Sequence, residues 1–529
     1  MLAAIRVTPS SLPHLLIDAA ARHPARRFLS FEGNAYSYAS FAEHVGAAAA
    51  ALRDWGLCPG DRVALYLGNT PSYLVAYLAA LWCGAAVVPA NTRYREAELQ
   101  HLLHDAEVRL VVTDGEGDAL VATVRTATPS IDAVVTLTGA PDEDRRIWAD
   151  LAPSEGDPRP PVVAAGNDTL ALIAYTSGTT GKSKGAMLTH GNLLANARAV
   201  GRAWRWAAED HLLLTLPLFH IHGLGVGFHG TLAHGAALTL HRRFDATAVL
   251  EALENGPATL FFGVPTMYGR LLNEAGERAR RGAGRRFARV RLLVSGSAPL
   301  AADTLERVEH VFGQRILERY GMTETVMLTG NPYDGPRKAG TVGLPFDGVE
   351  LRLVAVTATA GPDGGAVDTS GAAAEVQVRG PSVTSGYWKD ADATAASFTS
   401  DGWFRTGDLG VLDADGYLTL SGRARELIIS GGFNVYPREV EEAVASLPGV
   451  REVAVVGLPD PDLGERVAAA IVVAPEGPAV DAEGVVAHCQ LQLAGFKAPR
   501  TIAFVEELPR NAMGKLLRQA VRDRLLEAP

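Results

Sequence analysis

The sequence predicts an α/β protein: a large N-terminal domain of layered α/β sheets that carries a β subdomain, then a small α+β C-terminal domain. Three observations carry this expectation. From Pro9 to about Asp114, helical periodicity (Leu15 to Ala21, Ser40 to Trp55, Glu96 to His104) alternates with short apolar strands (Arg62 to Tyr66, Val108 to Val112). That is the pattern of a parallel sheet covered on both faces. From Glu350 the character changes to alternating strands around a Gly/Ala/Asp-rich turn, with Gly416 to Leu420 also β-like. A helix from Glu439, a strand Glu452 to Val456 and a basic helix after Lys515 close the chain, and about a hundred residues suffice for a separate domain.

Tyr73 to Ala90 is the most apolar stretch, but Gly84 and Pro89 interrupt it. It therefore reads as a buried helix, Ser72 to Cys83, turning at Gly84 into a strand Ala85 to Val88, and not as a membrane span. Residues 115 to 167 are rich in Asp, Pro, Thr and Ala with weak periodicity and predict a surface connection. Thr189 opens a helix through Ala199. A strand from Leu213 is expected to deliver His220 and His222 into a Gly-rich turn; His-x-His with no carboxylate or cysteine at ligand spacing is a weak metal signal. Leu260 to Val264 is a strand, Pro265 suits the first position of the helix that follows, and Thr266 and Arg270 share a face of that helix. Val290 to Val294 is a further strand ending in Ser295-Gly-Ser-Ala-Pro299. Glu318-Arg-Tyr-Gly-Met-Thr-Glu324 places an aromatic, a hydroxyl and a carboxylate at a strand end, where ligands of open α/β sheets collect.

With 529 residues the chain can bury a large core. A formal charge of -10 disfavours sequence-independent nucleic-acid binding, which wants a basic face. Three dispersed cysteines, Cys58, Cys83 and Cys489, indicate neither a disulfide framework nor a zinc site, and a reducing cytoplasm fits them. Met1 to Leu12 contains no apolar run long enough for a secretory signal.

The densest chemistry lies in Tyr175-Thr-Ser-Gly-Thr-Thr-Gly-Lys-Ser-Lys-Gly185, where five Ser or Thr residues, three glycines and two lysines are packed into one segment. Glycines let backbone N–H groups approach phosphate oxygens, hydroxyls add donors and lysine neutralises charge. A polyphosphate suits this loop. It is not the common NTPase loop, because Thr176 stands where that motif needs glycine.

The order T-S-G-T-T-G-x-x-K-G resembles the phosphate loop of the adenylate-forming superfamily: acyl-CoA synthetases, non-ribosomal adenylation domains and firefly luciferase. Ser183 stands where the family usually has proline, and Lys184 takes its lysine position. The ordered stretches above, with Pro509 to Lys515, extend the resemblance over nearly the whole chain. It implies an N-terminal AMP-binding domain over residues 1–424 and a mobile C-terminal domain over 425–529, hinged at Arg425 where relatives have Lys or Asp. It implies an ATP-dependent acid–CoA ligase working through an acyl-AMP, with ATP, Mg²⁺ and coenzyme A. Thr176, Ser177, Gly178, Thr179, Thr180, Gly181 and Lys184 would hold the pyrophosphate. Glu318, Arg319, Tyr320 and Gly321, with the Ser297-Ala298-Pro299 turn, would bind the nucleotide, Tyr320 stacking on adenine. Asp408 would accept from the ribose hydroxyls with Arg423 nearby. Thr323, Glu324 as the Mg²⁺ ligand and Lys515 would be catalytic, and Gly431 and Gly432 would line the CoA tunnel.

The acyl pocket would be walled by His220 and Met322; on sequence alone, a structural histidine and a pocket-lining one are both compatible with position 220. The pocket motifs resemble malonyl-CoA synthetases most closely, in which an arginine and a serine at the positions of Arg270 and Ser297 hold the distal carboxylate. Burying that carboxylate without a partner would cost several kcal/mol, and an arginine can meet both its oxygens. Methylmalonate, a fatty or aromatic monocarboxylate, and a carrier protein loaded in place of free CoA stay open as alternatives.

Overall fold

The computed structural model describes residues 10–151, 163, 165–176, 183–280, 287–355, 373–430, 433–511 and 514–527. The chain forms two compact units, one of Met1–Glu350 with Arg379–Phe398, the other of Leu351–Val378 with Thr399–Pro529.

The first unit is α/β, as the alternating pattern predicts. One sheet runs, in spatial order, Ala133–Leu137, Leu110–Asp114, Arg62–Tyr66, Ala86–Pro89, Leu170–Thr176 and Lys184–Thr189. A second runs Leu344–Pro345, Thr329–Gly330, Leu317–Tyr320, Leu292–Ser295, Leu260–Gly263, His211–Leu214, Ala237–Leu240, Arg27–Phe31 and Asn34–Ser37. Strands covered on both faces read as continuous apolar runs instead of alternating ones. Leu260–Gly263 and Leu292–Ser295 are buried throughout and obey this rule. Leu317–Tyr320 is equally buried yet carries Glu318 and Arg319.

Helix Pro71–Trp82 accounts for the most apolar stretch. Thr70 caps it by accepting from the Tyr73 N–H at 3.2 Å, proline sits in its first turn, and every one of its residues is buried. Its two tyrosine hydroxyls find partners, Tyr73 donating to the Leu218 carbonyl at 3.2 Å and Tyr77 meeting His229 Nε2 at 2.8 Å. Among the described residues no helix is long and apolar enough to cross a membrane.

Two local expectations are corrected. Within 115–167 the structure holds helices Asp118–Arg125 and Pro141–Leu151 and a strand Ala133–Leu137 that pairs in parallel with Leu110–Asp114. Their apolar sets are short, Val121 and Val124 for the first helix, so the acidic and Thr-rich surroundings hid the period. Asp144, read as surface, is buried and accepts from the Thr138 N–H at 2.7 Å. The strand expected from Leu213 is His211–Leu214, and His222 instead opens a π-helical turn, His222–Phe228. Close approach forces glycine there, since a Cβ on Gly223 would lie 2.3 Å from the Pro217 carbonyl oxygen.

The second unit contains a sheet ordered Glu350–Val354, Ala374–Arg379, Phe404–Leu412 and Leu418–Arg423, the last three strands pairing antiparallel. A mixed sheet follows, with Gly464–Val473 between Val450–Asp460 and Ile428–Ser430 and with Thr501–Phe504 beside it. Helices Pro437–Ala445 and Ala482–Gln492 bury Val440, Val444, Val485 and Cys489 in one core with that sheet, while Arg518–Glu527 buries Val521 and Leu525 in another.

Phe28 is fully buried, with the rings of Tyr38 at 4.6 Å and Phe41 at 5.0 Å. Phe28→Ala is therefore expected to destabilise the first unit by about 3–5 kcal/mol. Urea unfolding followed by tryptophan fluorescence checks this, and a shift below ~1 kcal/mol would show that these rings do not cement the unit.

Candidate active site

The site starts from strand register. Leu260–Gly263, Leu292–Ser295 and Leu317–Tyr320 run parallel, with Gly263 opposite Ser295 and Ser295 opposite Glu318. Their carboxyl ends finish together, so the turns beyond them, at Val264, Gly296-Ser297 and Gly321, emerge along one edge, where open parallel sheets hold ligands.

The second and third of these turns are tightly constrained. Ser297 has φ +69° and Val326 φ +58°, and the latter is costly for a β-branched residue. Gly321 admits no side chain, because a Cβ there would lie 2.0 Å from the Val326 carbonyl oxygen. Tyr320 accepts from the Leu328 N–H at 2.9 Å and Glu318 from the Asn331 N–H at 2.9 Å, both through backbone carbonyls, which anchors the segment entering the turn. Tyr320 and Glu324 are buried, Gly321, Met322 and Thr323 are half-buried, Ser297 and Ala298 are half-buried, and Pro299 is exposed.

Beneath these turns lies a buried polar cluster. Arg319 is only 3% exposed, and burial pulls its guanidinium down to about 9. Its Nε and Nη2 have no hydrogen-bond partner among the described residues. The guanidinium lies over Gly296, where a Cβ would come within 2.5 Å of Cζ and Nε. His222 is fully buried, stacks on Phe262 at 6.4 Å and stands 3.4 Å from Ser297 Oγ through Nδ1. Burial first, then Arg319 and His220, hold its ring well below the ordinary histidine range, so it is neutral at pH 7. Its Nε2 and Ser295 Oγ also have no partner among the described residues. His220, half-buried, accepts the His222 N–H at Nδ1, 3.2 Å away. Thr266 and Arg270 are exposed on helix Pro265–Arg280. Sequence reading singled out neither His222 nor Ser295 for the site, although the His-x-His spacing and the S-G-S turn were visible.

A second set of residues gathers at the base of the phosphate loop. Thr176 pairs with Lys184 across an antiparallel hairpin. Ser177, Gly178, Thr179, Thr180 and Gly181 lie outside the described residues. Lys184 Nζ is 3.9 Å from Asp390 Oδ2 and 5.7 Å from the centre of the Tyr387 ring, and Tyr387 OH donates to Glu324 Oε1 at 2.9 Å. Sequence reading singled out neither Tyr387 nor Asp390. No cluster of three or more His, Cys, Asp or Glu able to hold a metal occurs among the described residues. A single buried carboxylate is nevertheless a fitting donor for Mg²⁺ carried on a nucleotide, since that ion keeps most of its waters and takes one or two carboxylates plus phosphate oxygens.

In the second unit Asp408 and Arg423 face each other across Phe404–Leu412 and Leu418–Arg423, with Arg423 Nε 2.6 Å from Asp408 Oδ1. Arg425 falls within the helical turn Ala424–Glu426. Lys515 is exposed on a turn in which its N–H donates to Asn511 Oδ1 at 3.0 Å and the Asn511 N–H returns to its carbonyl at 2.9 Å. Gly431 and Gly432 lie outside the described residues.

Residues 16–388 match the AMP-binding enzyme family, and residues 439–515 match the AMP-binding enzyme C-terminal domain. The chain belongs to the AMP-binding enzyme family. It stands among the acid–CoA ligases of that family. The sulfoacetate–CoA ligase of Cupriavidus necator is 37% identical over 96% of this chain and 96% of its own. The feruloyl-CoA synthase of an Amycolatopsis species is 38% identical over 93% of this chain and 94% of its own. ATP-bound MatB from Rhodopseudomonas palustris superposes with a TM-score of 0.89 at 36% identity, covering 98% of this chain and 99% of that one. Membership therefore establishes an AMP-forming ligase without choosing its acid.

The buried histidines of this AMP-binding enzyme make it acid-sensitive. Burial holds His190 and His211 at about 4 and His229 at about 3, against 6.5 when exposed, and His222 lies well below its ordinary value too. Each folded value is depressed, so their contribution is complete above pH 6.5 and is lost as pH falls toward 4, where the unfolded chain takes up protons that the folded one refuses. The loss approaches about 1.4 kcal/mol per histidine per pH unit. Urea midpoints measured from pH 7 to 5 are expected to fall steadily; a flat profile would contradict this origin.

Proposed function

We propose that this enzyme joins coenzyme A to a small acid bearing a second anionic group, malonate-like, through an acyl-adenylate. Two steps balance the reaction. The acid carboxylate attacks the α-phosphorus of ATP and pyrophosphate leaves with the α–β bridging oxygen; the thiol of CoA then attacks the acyl carbonyl, AMP leaves and the thiol proton is released. Mg²⁺ supplies charge neutralisation at the phosphates when bound, and Glu324 is the residue that would hold it.

The observation that carries the choice of acid is Arg319, a buried guanidinium whose Nε and Nη2 have no partner among the described residues. An uncompensated buried cation is costly, and an entering anion offsets that cost through charge-assisted, two-point bonding. A wholly apolar acid would leave it unpaired. Ser297 and neutral His222 supply further polar contacts beside it, and the resemblance to malonyl-CoA synthetases agrees with such an acid. The sulfoacetate specificity named for one relative has the same plan, a carboxylate at one end and a second anion at the other. The resemblance also gives the distal carboxylate to Arg270, which is exposed one helical turn past Thr266.

In this reading Lys184 meets the pyrophosphate and Tyr320 the adenine, and the resemblance gives Asp408 the ribose. Lys515 screens the meeting of the two anions in the first step. Movement of the segment beyond Arg425 then withdraws it and brings in Gly431-Gly432 for the thiol. Cys83 and Cys489 are buried free thiols and Cys58 is an exposed one, which supports the expectation of a reducing cytoplasm.

Two experiments test this. AMP release across malonate, methylmalonate, sulfoacetate, acetate, octanoate and benzoate is expected to favour the first three, and Arg319→Met to cut their kcat/KM at least a hundredfold while leaving KM for ATP unchanged. An equal loss for every acid with a raised KM for ATP would assign Arg319 to the nucleotide, and preference for a monocarboxylate would overturn the substrate. Lys515→Ala is expected to slow acyl-AMP formation by two orders of magnitude or more while sparing thioester formation from supplied acyl-AMP; equal loss in both half-reactions would remove the domain movement.

A further inference from the structure

The segment Thr384 to Asp390 touches two elements of the candidate site at once. Along one side it is stitched to the strand leaving the phosphate loop. The Met187 N–H donates to the Gly386 carbonyl at 2.9 Å, the Trp388 N–H donates to the Gly185 carbonyl at 2.8 Å, and Thr384 Oγ1 donates to the Met187 carbonyl at 2.6 Å. On the other side the Thr384 N–H donates to the Glu324 carbonyl at 2.7 Å, and Tyr387 OH donates to the Glu324 carboxylate at 2.9 Å. Tyr387 has no freedom to drift from this place. It bridges Ala186 in antiparallel fashion, its N–H donates to Thr394 Oγ1 at 2.9 Å, and the residue before it, Gly386 at φ +135°, would put a Cβ 2.5 Å from Thr394 Cγ2.

The ring of Tyr387 also lies 5.7 Å from Lys184 Nζ, within reach of a cation–π contact. One side chain thus holds an anionic group through its hydroxyl and faces a cationic one with its ring. Glu324 is buried, and a charge-assisted hydrogen bond at one oxygen orients a carboxylate far better than packing does.

We infer that Tyr387 is a positioning residue: it sets the Glu324 carboxylate relative to Lys184, so that the cation accompanying ATP and the lysine meet the phosphates in one geometry. This rests on the nucleotide reading of Glu324 and Lys184 given above. The ring alone does not suffice, because phenylalanine would keep the packing and the face toward Lys184 while losing the bond to Glu324.

The test is calorimetric titration of ATP into the full-length protein, without acid, at several Mg²⁺ concentrations and in EDTA. Tyr387→Phe is expected to raise Kd for ATP about tenfold with Mg²⁺, as loss of a hydrogen bond to a charged group does, and less than twofold in EDTA. Combined with Glu324→Gln it is expected to add nothing further, since the tyrosine acts only through that carboxylate. An equal weakening with and without Mg²⁺, additive losses in the double variant, or an unchanged Kd would each overturn the inference. Failure of the wild-type protein to bind ATP at all would overturn the nucleotide reading and this inference with it, and that outcome is distinguishable because it appears before any substitution.

Discussion

Everything at the candidate site depends on the parallel register of three buried strands. Because Gly263, Ser295 and Glu318 stand opposite one another, the turns that follow leave the sheet at one level. A slip of one residue would turn Ser295 and Glu318 to opposite faces and scatter the polar groups that now converge. The register is held by apolar burial on both faces: Phe261 and Leu293 pack with Tyr268 and Val308, and Phe262 and Val294 face the larger core. The catalytic edge is therefore a by-product of packing the interior correctly, and its strained Ser297 and Val326 backbones persist because that interior over-determines them.

Desolvation gives the site its character. His222 is kept neutral, and Arg319 keeps its Nε and Nη2 without a hydrogen-bond partner among the described residues, which is the arrangement the proposed anion would complete. The half-buried ion pairs elsewhere in the chain are arranged differently. Arg291 meets Asp210 at 2.6 Å and stacks near Tyr333, and Arg518 is clasped by Glu426 and Glu441, which satisfies these guanidinium groups internally.

The family and its fold class were legible in the residues, since alternating strand and helix periods, the Gly/Ser/Thr-rich loop and the ordered motifs depend on local composition. The region 115–167 was not legible, because a helix held by two buried valines, Val121 and Val124, has too little apolar signal to stand out among acidic and Thr residues. Tyr387 was missed for a different reason. Its importance comes from a contact with Glu324, 63 positions away in the chain, and nothing in the local pattern reports such a partner.

The sequence by itself determined the chemistry on offer: a Gly/Ser/Thr-rich loop suited to a polyphosphate, a carboxylate at a strand end and a lysine near the C-terminus, because these are properties of residue type and spacing. Only the tertiary structure decided which cation is buried. Arg270 and Arg319 each sit in a stretch that the resemblance singles out, but one lies exposed on a helix surface and the other in a buried strand. Burial is a property of what packs around a residue, supplied by distant segments, and it alone turns a guanidinium from a solvated charge into one that seeks an anion.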